Sequence, residues 1–120
     1  MIDHISIGVT DLDASAAFYD AVLGAIGLDR LVTRAGTVGY GKKYPEFWIN
    51  HRPELSPSDT GVHVCLRARK QAQIDAFHQA ALNAGGASDG APGLRPEYTD
   101  TYYAAFICDP DGNKIEAVTF

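Results

Sequence analysis

Three side chains of this sequence could together bind a divalent metal ion. His4 begins the segment His-Ile-Ser-Ile, His63 begins the segment His-Val-Cys-Leu, and Glu116 lies in the final strand-like segment, Lys-Ile-Glu-Ala. Two imidazoles and one carboxylate leave coordination positions open for a substrate, and such a set suits Fe(II), Mn(II), Zn(II) or Ni(II). The sequence does not choose among these metals. Whether the three groups can meet depends on the elements that carry them.

An internal repeat places the two histidines at equivalent positions. When the sequence is shifted against itself by 59 residues, seven identities fall between positions 4 and 27, where average composition gives about two. The identical pairs are His4 with His63, Ala17 with Ala76, Phe18 with Phe77, Ala21 with Ala80, Leu23 with Leu82, Ala25 with Ala84, and Gly27 with Gly86. The chain therefore contains two copies of one unit.

Each copy is predicted to fold as βαβββ. Strands are predicted from alternation of period two, and helices from an apolar stripe of period 3.6 with glycines at the end. The first copy is predicted to contain strands Ile2–Val9, Arg30–Arg34, Thr37–Gly41 and Phe47–Asn50, and a helix whose face carries Leu12, Ala16, Tyr19, Leu23 and Ile26. The second is predicted to contain strands Val62–Ala68, Ala91–Arg95, Tyr102–Cys108 and Lys114–Thr119, and helix Lys70–Ala84 with Ile74, Phe77, Ala81 and Leu82 buried. We expect a single domain over residues 1–120, with modules 1–55 and 56–120 and a linker at Pro53–Thr60.

Strand alternation places the three candidate ligands on the same kind of surface. His4 and His63 lie on the strand face opposite the branched aliphatic residues, which should pack under the helices. Ile115 and Ala117 suit the helix side, so Glu116 faces the other way. Burying a carboxylate unpaired among apolar neighbours costs on the order of several kcal/mol, and a cation would compensate it. We therefore predict a metal site made by His4, His63 and Glu116.

The fourth symmetric position is open to two alignments. Matching Phe47-Trp48-Ile49-Asn50 to Ile115-Glu116-Ala117-Val118 places Trp48 opposite Glu116, and a slip of two residues would place Glu46 there instead. Trp48 fits better, because Phe47 and Ile49 match the aliphatic pattern of their partners. Tryptophan does not bind metals, but it could stack on a planar substrate.

Four further side chains are candidates for catalysis or substrate binding. Tyr102 and Tyr103 could supply a general acid or base, although only one of them can face the candidate metal site in an extended strand. Arg67 shares the face of His63 and could bind an anionic group of the substrate, and Arg95 could do the same from its loop.

Composition excludes several classes of protein. Ten basic and 15 acidic residues give a net charge of −5, which disfavours nucleic-acid binding. The apolar stretches are too short to span a membrane, and no secretory signal is visible. The two cysteines, Cys65 and Cys108, are too few for a disulfide scaffold, and Cys65 is interpreted as a small buried thiol. We expect a cytoplasmic protein that acts on a small molecule, with no nucleic-acid or membrane partner.

The sequence resembles the vicinal-oxygen-chelate superfamily, which includes glyoxalase I, bleomycin-resistance proteins, fosfomycin-resistance enzymes and extradiol dioxygenases. The resemblance lies in His4-Ile5-Ser6-Ile7, in Gly61-Val62-His63-Val64, and above all in the run from Asp109 to Glu116, Asp-Pro-Asp-Gly-Asn-Lys-Ile-Glu. It implies an α+β fold in which two βαβββ modules form a curved eight-stranded cup with the helices on its outer face, often in a homodimer. It also implies that His4, His63 and Glu116 occupy the ligand positions for one divalent metal.

The resemblance implies a metal-dependent lyase, isomerase or dioxygenase whose substrate chelates the metal through vicinal oxygens. Glyoxalase I has a fourth ligand, Glu or Gln, where this sequence has Trp48, so the three-ligand set is more similar to the dioxygenases and fosfomycin-resistance enzymes. The alternative is a metal-free protein that binds an antibiotic or another aromatic compound, as bleomycin-resistance proteins do.

Overall fold

Two βαβββ modules follow one another along the chain. The computed structural model describes residues 1–56 and 60–120. The elements are β1 (Ile5–Val9), α1 (Leu12–Ala25), β2 (Asp29–Arg34), β3 (Thr37–Gly41), β4 (Pro45–His51), β5 (His63–Arg67), α2 (Gln71–Asn83), β6 (Ala87–Leu94), β7 (Tyr103–Cys108) and β8 (Lys114–Thr119). Neither α1 nor α2 is long and apolar enough to cross a membrane.

Each module builds one four-stranded sheet. The strand orders are β1-β4-β3-β2 and β5-β8-β7-β6, so the two sheets have the same topology and the first strand of each module is an edge strand. That edge strand pairs in parallel with the last strand of its own module, whereas the other pairings are antiparallel. The predicted α+β fold of two βαβββ modules is confirmed. Its eight strands form two sheets that do not close into a barrel, which is consistent with a curved cup.

The helices cover one face of each sheet. Helix α1 begins after Asp11, whose carboxylate accepts a hydrogen bond from the backbone N–H of Ala14 at 3.0 Å, as an N-cap residue does. Along α2, Ile74, Phe77 and Ala81 are buried as predicted. Leu82, predicted to join that stripe, is instead 41% exposed, because it lies about 100° around the helix from Ala81.

Strands β1 and β6 depart furthest from the predicted boundaries, and the other strands whose bounds differ do so by one or two residues at an end. Strand β1 begins at Ile5, so His4 lies just before it. Strand β6 spans Ala87–Leu94, earlier than the predicted Ala91–Arg95, because two irregularities in its pairing with β7 break the alternation on which the prediction relied. The predicted linker Pro53–Thr60 contains residues 57–59, which lie outside the described residues.

One hydrophobic core is continuous across both modules. Tyr19 of α1 packs on Phe47 of β4 with ring centroids 5.1 Å apart. Phe18, on the same helix, reaches the second module, where a Cβ atom added to Gly86 would lie 2.7 Å from its ring. The two modules therefore pack as one body, and the division at residues 55 and 56 stays a prediction.

A buried carboxylate also joins the modules. Asp109, 4% exposed, accepts a hydrogen bond of 2.6 Å from the hydroxyl of Tyr19 and bonds of 2.9 Å from the backbone N–H groups of Asp111 and Asn113. The side-chain amide of Asn113 donates both to Asp109 and to the carbonyl of Gly8 at 2.9 Å. We call Tyr19, Asp109, Asn113 and Gly8 the module clasp. It fixes the β7–β8 turn against α1 and the end of β1.

Candidate functional site

His63 and Glu116 meet on the face of the second sheet that the helices leave uncovered, which we call the open face. His63 begins β5, and Glu116 of β8 is the register partner of Cys65. Residues two apart on a strand share a face, so the imidazole and the carboxylate lie on the same side. Their Nε2 and Oε2 atoms are 3.1 Å apart. The side chain of Glu116 is only 4% exposed, whereas that of His63 is 46% exposed.

Tyr102 completes the surroundings of this carboxylate. Its hydroxyl donates to Oε1 of Glu116 at 2.5 Å. Burial, followed by the hydrogen bond to the carboxylate, raises the pKa of Tyr102 well above its usual value of 10.0. Each oxygen of Glu116 therefore has its own partner, and the phenol keeps its proton at neutral pH.

Cys65 lies on the same open face, beside Glu116, and differs from its prediction. The residue is exposed and carries a free thiol, because the open face has no helix to cover it. Burial of the thiol group itself and the adjacent Glu116 carboxylate raise the pKa of Cys65 to about 12. The thiol is therefore protonated at neutral pH and is a poor nucleophile.

Tyr103 lies on the opposite side of the sheet from Tyr102. It pairs with Thr119, on the face that α2 covers, and its hydroxyl donates to Asp75 of α2 at 2.6 Å. Of the two tyrosines that the sequence proposes for catalysis, only Tyr102 contacts a candidate metal ligand. Tyr103 joins a helix to its sheet.

Trp48 occupies the position in the first module that Glu116 occupies in the second. Ser6 pairs with Trp48, as Cys65 pairs with Glu116, and Ser6 and Cys65 are equivalent in the repeat. The strand register therefore agrees with the alignment that makes Trp48, and not Glu46, equivalent to Glu116. The indole lies over Gly39, where a Cβ atom would come within 2.8 Å of the ring.

Polar side chains surround Trp48 on the face of the first sheet that the helices leave uncovered. We call this the first open face, and the corresponding face of the second sheet the second open face. The guanidinium of Arg34 lies 5.8 Å from the centre of the indole. Asn50 donates to the hydroxyl of Ser6 at 2.8 Å and accepts from that of Thr37 at 2.7 Å. The first module therefore offers an aromatic and amide surface, in contrast to the acid and imidazole of the second.

The two arginines proposed for substrate binding have different surroundings. The guanidinium of Arg67 lies 4.6 Å from the centre of the Phe120 ring. That of Arg95 lies over Phe106, and its Nη1 and Nη2 atoms donate to backbone carbonyls of Gly93 and Ala91 at 2.9 and 2.6 Å. Arg95 therefore stabilises the irregular strand β6. The N–H groups that would bind an anionic substrate already donate to carbonyls of that strand.

His4 is not brought to His63 and Glu116 within the chain. Its Nδ1 atom lies 2.7 Å from the carboxylate of Asp3, and its side chain is 55% exposed. Among residues 1–56 and 60–120, no three His, Cys, Asp or Glu side chains converge in a way that could hold a metal ion. The described chain therefore presents two of the three predicted ligands together.

The chain matches a known family over nearly its whole length. Residues 1–117 match the model of the Glyoxalase/Bleomycin resistance protein/Dioxygenase superfamily. The chain belongs to this superfamily. No curated protein matches the chain.

Solved structures agree with the superfamily assignment. A glyoxalase/bleomycin resistance protein from Albidiferax ferrireducens T118 is 34% identical, with a TM-score of 0.85 over 97% of this chain and 95% of that one. A glyoxalase/bleomycin resistance protein/dioxygenase family enzyme from Burkholderia phytofirmans PsJN and a lactoylglutathione lyase from Agrobacterium tumefaciens are 18% and 22% identical. Their TM-scores are 0.76 and 0.67, over 98% of this chain and over 96% and 92% of theirs. These last two show similarity of fold.

Members of this superfamily typically use a divalent metal, and the donors on the second open face fit one in part. Two ligands of one first-row ion, each about 2.1 Å from it, lie roughly 3 Å apart, which is close to the 3.1 Å between Nε2 of His63 and Oε2 of Glu116. An imidazole and a carboxylate are ligand types that such ions accept. The pair therefore fits two adjacent positions of a coordination sphere, and a complete site requires further donors.

Sequence reasoning missed three residues of these open faces. Phe120 follows Glu116 and Val118 at intervals of two residues, and this spacing is the signal that indicates the same face. Asn50 and Arg34 flank Trp48, and the spacing of Asn50 from Trp48 along β4 was a usable signal. The contact between Arg34 and the indole depends on the strand register and could not be read from the sequence alone.

Proposed function

We propose that the protein is a divalent-metal-dependent enzyme of the glyoxalase/dioxygenase superfamily, a lyase, isomerase or dioxygenase, whose small substrate chelates the metal through two vicinal oxygens. The observation that carries this proposal is the pairing of His63 with a nearly buried Glu116 at 3.1 Å. A bound ion supplies Lewis-acid stabilisation of negative charge on the substrate oxygens. The metal could be Fe, Mn, Zn or Ni.

The chain's own groups prepare this site. Tyr102 holds one oxygen of Glu116 by a hydrogen bond, so the other oxygen is directed toward His63. Such support of a ligating carboxylate by a neighbouring donor fixes its orientation. The high pKa of Tyr102 keeps a proton on the phenol oxygen. Tyr102 therefore acts as a hydrogen-bond donor, and not as a base, at neutral pH.

We infer that the third ligand is His4 of a second copy in a homodimer. His63 is the first residue of the edge strand β5, and His4 immediately precedes the edge strand β1. The neighbouring aliphatic residues Ile2 and Val62 are 78% and 74% exposed. Exposed apolar groups beside both histidines favour an interface at these edges. A two-fold dimer would use the same surface twice and would form two equivalent sites.

The experiment is a complementation of two inactive variants. His4→Ala and Glu116→Ala are each expected to abolish stoichiometric metal binding, measured by element-specific analysis after dialysis. If each site takes His4 from one copy and Glu116 from the other, unfolding and refolding a 1:1 mixture restores about one quarter of the sites, because half of the dimers are mixed and each has one intact site. His51→Ala is the matched control and should bind metal as the unaltered protein does.

Two results would contradict the proposal. Failure of the unaltered protein to bind Fe, Mn, Zn, Ni or Co stoichiometrically would refute the metal site. Metal binding by the unaltered protein, with no recovery in the mixture, would instead refute the shared site and leave the metal in place.

A second candidate is metal-free binding of an aromatic compound. It is supported by the hydrogen bonds that already satisfy both oxygens of Glu116, and by the partial exposure of Trp48, the single tryptophan, on the other open face. Titration with a cationic aromatic drug, followed by Trp48 fluorescence with and without chelator, separates the two. Tight binding that the chelator does not change would favour this second function.

A further inference from the structure

Arg67 presents an oriented cation on the second open face. It follows His63 and Cys65 at intervals of two residues along β5, so the three share a side. Its guanidinium stacks on Phe120 at 4.6 Å, and among the described residues no carboxylate or carbonyl accepts a hydrogen bond from it. Stacking holds the plane of a guanidinium while its N–H edge stays available, which is the geometry that binds a carboxylate.

An aromatic cluster lies beside this cation. Phe120 meets Tyr102 edge to face with ring centroids 5.3 Å apart, and Tyr102 meets Tyr98 at 5.1 Å. Phe120 and Tyr98 are 57% and 59% exposed, whereas Tyr102 also contacts Glu116. Exposed rings that extend from a buried carboxylate to a stacked arginine offer a surface on which another flat ring can pack.

We propose that the second open face binds a planar aromatic carboxylate, with the carboxylate on Arg67 and the ring against Tyr98, Tyr102 and Phe120. The inference rests on the proposed function in one respect: the vicinal oxygens of the ligand lie beside His63 and Glu116, where the proposed metal would bind them. Arg67 lies two residues along β5 from Cys65, which is the register partner of Glu116. The Cα atoms of Arg67 and Cys65 are therefore about 6.6 Å apart. One benzene ring with its substituents spans such a distance.

The test compares two ligands that differ only in charge. 3,4-Dihydroxybenzoate and 3,4-dihydroxybenzamide share a ring and vicinal hydroxyl groups, but only the first is anionic. Calorimetric titration of the full chain should show a preference for the benzoate of about tenfold to hundredfold, the range expected for a hydrogen bond to a charged group. Arg67→Gln should abolish this preference and leave the affinity for the benzamide unchanged. Arg67→Lys should keep part of it.

Two controls separate the guanidinium from general charge and from folding. Arg69→Gln removes the same charge two residues further along the chain and should keep the preference. Phe120→Leu keeps Arg67 but removes the ring beneath it, and should reduce the preference without a large change in thermal stability. Equal affinity of the unaltered protein for both ligands, absence of binding by both, or a preference that survives Arg67→Gln would overturn the inference.

A repeat with chelator distinguishes failure of this inference from failure of the metal proposal. If the metal is absent from the protein but benzoate is still preferred over benzamide through Arg67, the carboxylate subsite stands without the metal. If metal binds and the preference is missing, the metal proposal stands and the subsite is refuted.

Discussion

Asp109→Ala should destabilise the fold by breaking the module clasp. The substitution removes the acceptor for the Tyr19 hydroxyl, for two backbone N–H groups of its own turn, and for the side chain of Asn113. Tyr19 is 0% exposed, so its hydroxyl would be left buried without a partner. Hydrogen bonds to charged groups contribute roughly 1.5–3 kcal/mol each, and part of the sum is offset because the buried carboxylate no longer needs to be desolvated. We expect a loss of about 3–5 kcal/mol in the free energy of unfolding.

The companion variant Tyr19→Phe should cost less, about 1–2 kcal/mol, because Asp109 keeps its three other donors. The double variant should cost less than the sum of the two, since a phenylalanine at this position leaves no buried hydroxyl without a partner. Urea titrations at one protein concentration, followed by the fluorescence of Trp48, measure all three values. Asp100→Ala, at an exposed loop position, is the control and should fall within about 0.5 kcal/mol of the unaltered protein. A loss below about 1 kcal/mol for Asp109→Ala, or strict additivity, would refute this reasoning.

Four single substitutions test further details of the packing and of the candidate site. Gly39→Ala should destabilise the protein by about 1–3 kcal/mol, because its Cβ would lie 2.8 Å from the ring of Trp48. Gly24→Ala should stabilise it by about 0.4–1 kcal/mol, because outside its own helical backbone no atom of residues 1–56 and 60–120 lies within 4 Å of the new methyl group. Denaturant titration measures both, and the reverse order would contradict the packing argument. Arg95→Ala should lower thermal stability by removing the donors that hold β6, and a change in ligand affinity without loss of stability would argue for the direct role that the sequence suggested. Tyr103→Phe should leave metal content unchanged, since its hydroxyl faces α2, and a loss of metal would place it in the site after all.

The repeat made much of this fold predictable. Two copies with the same alternation had to give two sheets of the same topology, and the match of His4 with His63 correctly aligned Ser6 with Cys65. Alternation also indicated that only one of Tyr102 and Tyr103 could lie beside Glu116. These predictions succeeded for one reason. The two faces of a strand have different environments, and the alternation of apolar and polar residues indicates which face is covered.

Where local pattern was weak, prediction was wrong or incomplete. Strand β6 contains Gly90, Pro92 and Gly93, which give no alternation, so its predicted start is four residues late. The prediction that Cys65 is buried rests on the usual burial of cysteine, yet Cys65 lies on a face with no covering helix. The convergence of His63 with Glu116 followed from register, but the separation of His4 from them depends on how two modules pack, which no local pattern contains.

Trp48 lies at the position of the first module that is equivalent to Glu116 in the second, so the two open faces differ chemically. A flat ring packed on the first sheet would meet an indole at this position, whereas one packed on the second sheet would meet a carboxylate. Stacking favours the first contact, and a cation or a hydrogen-bond donor favours the second. The repeat thus supplies two surfaces of the same strand topology with different ligand preferences.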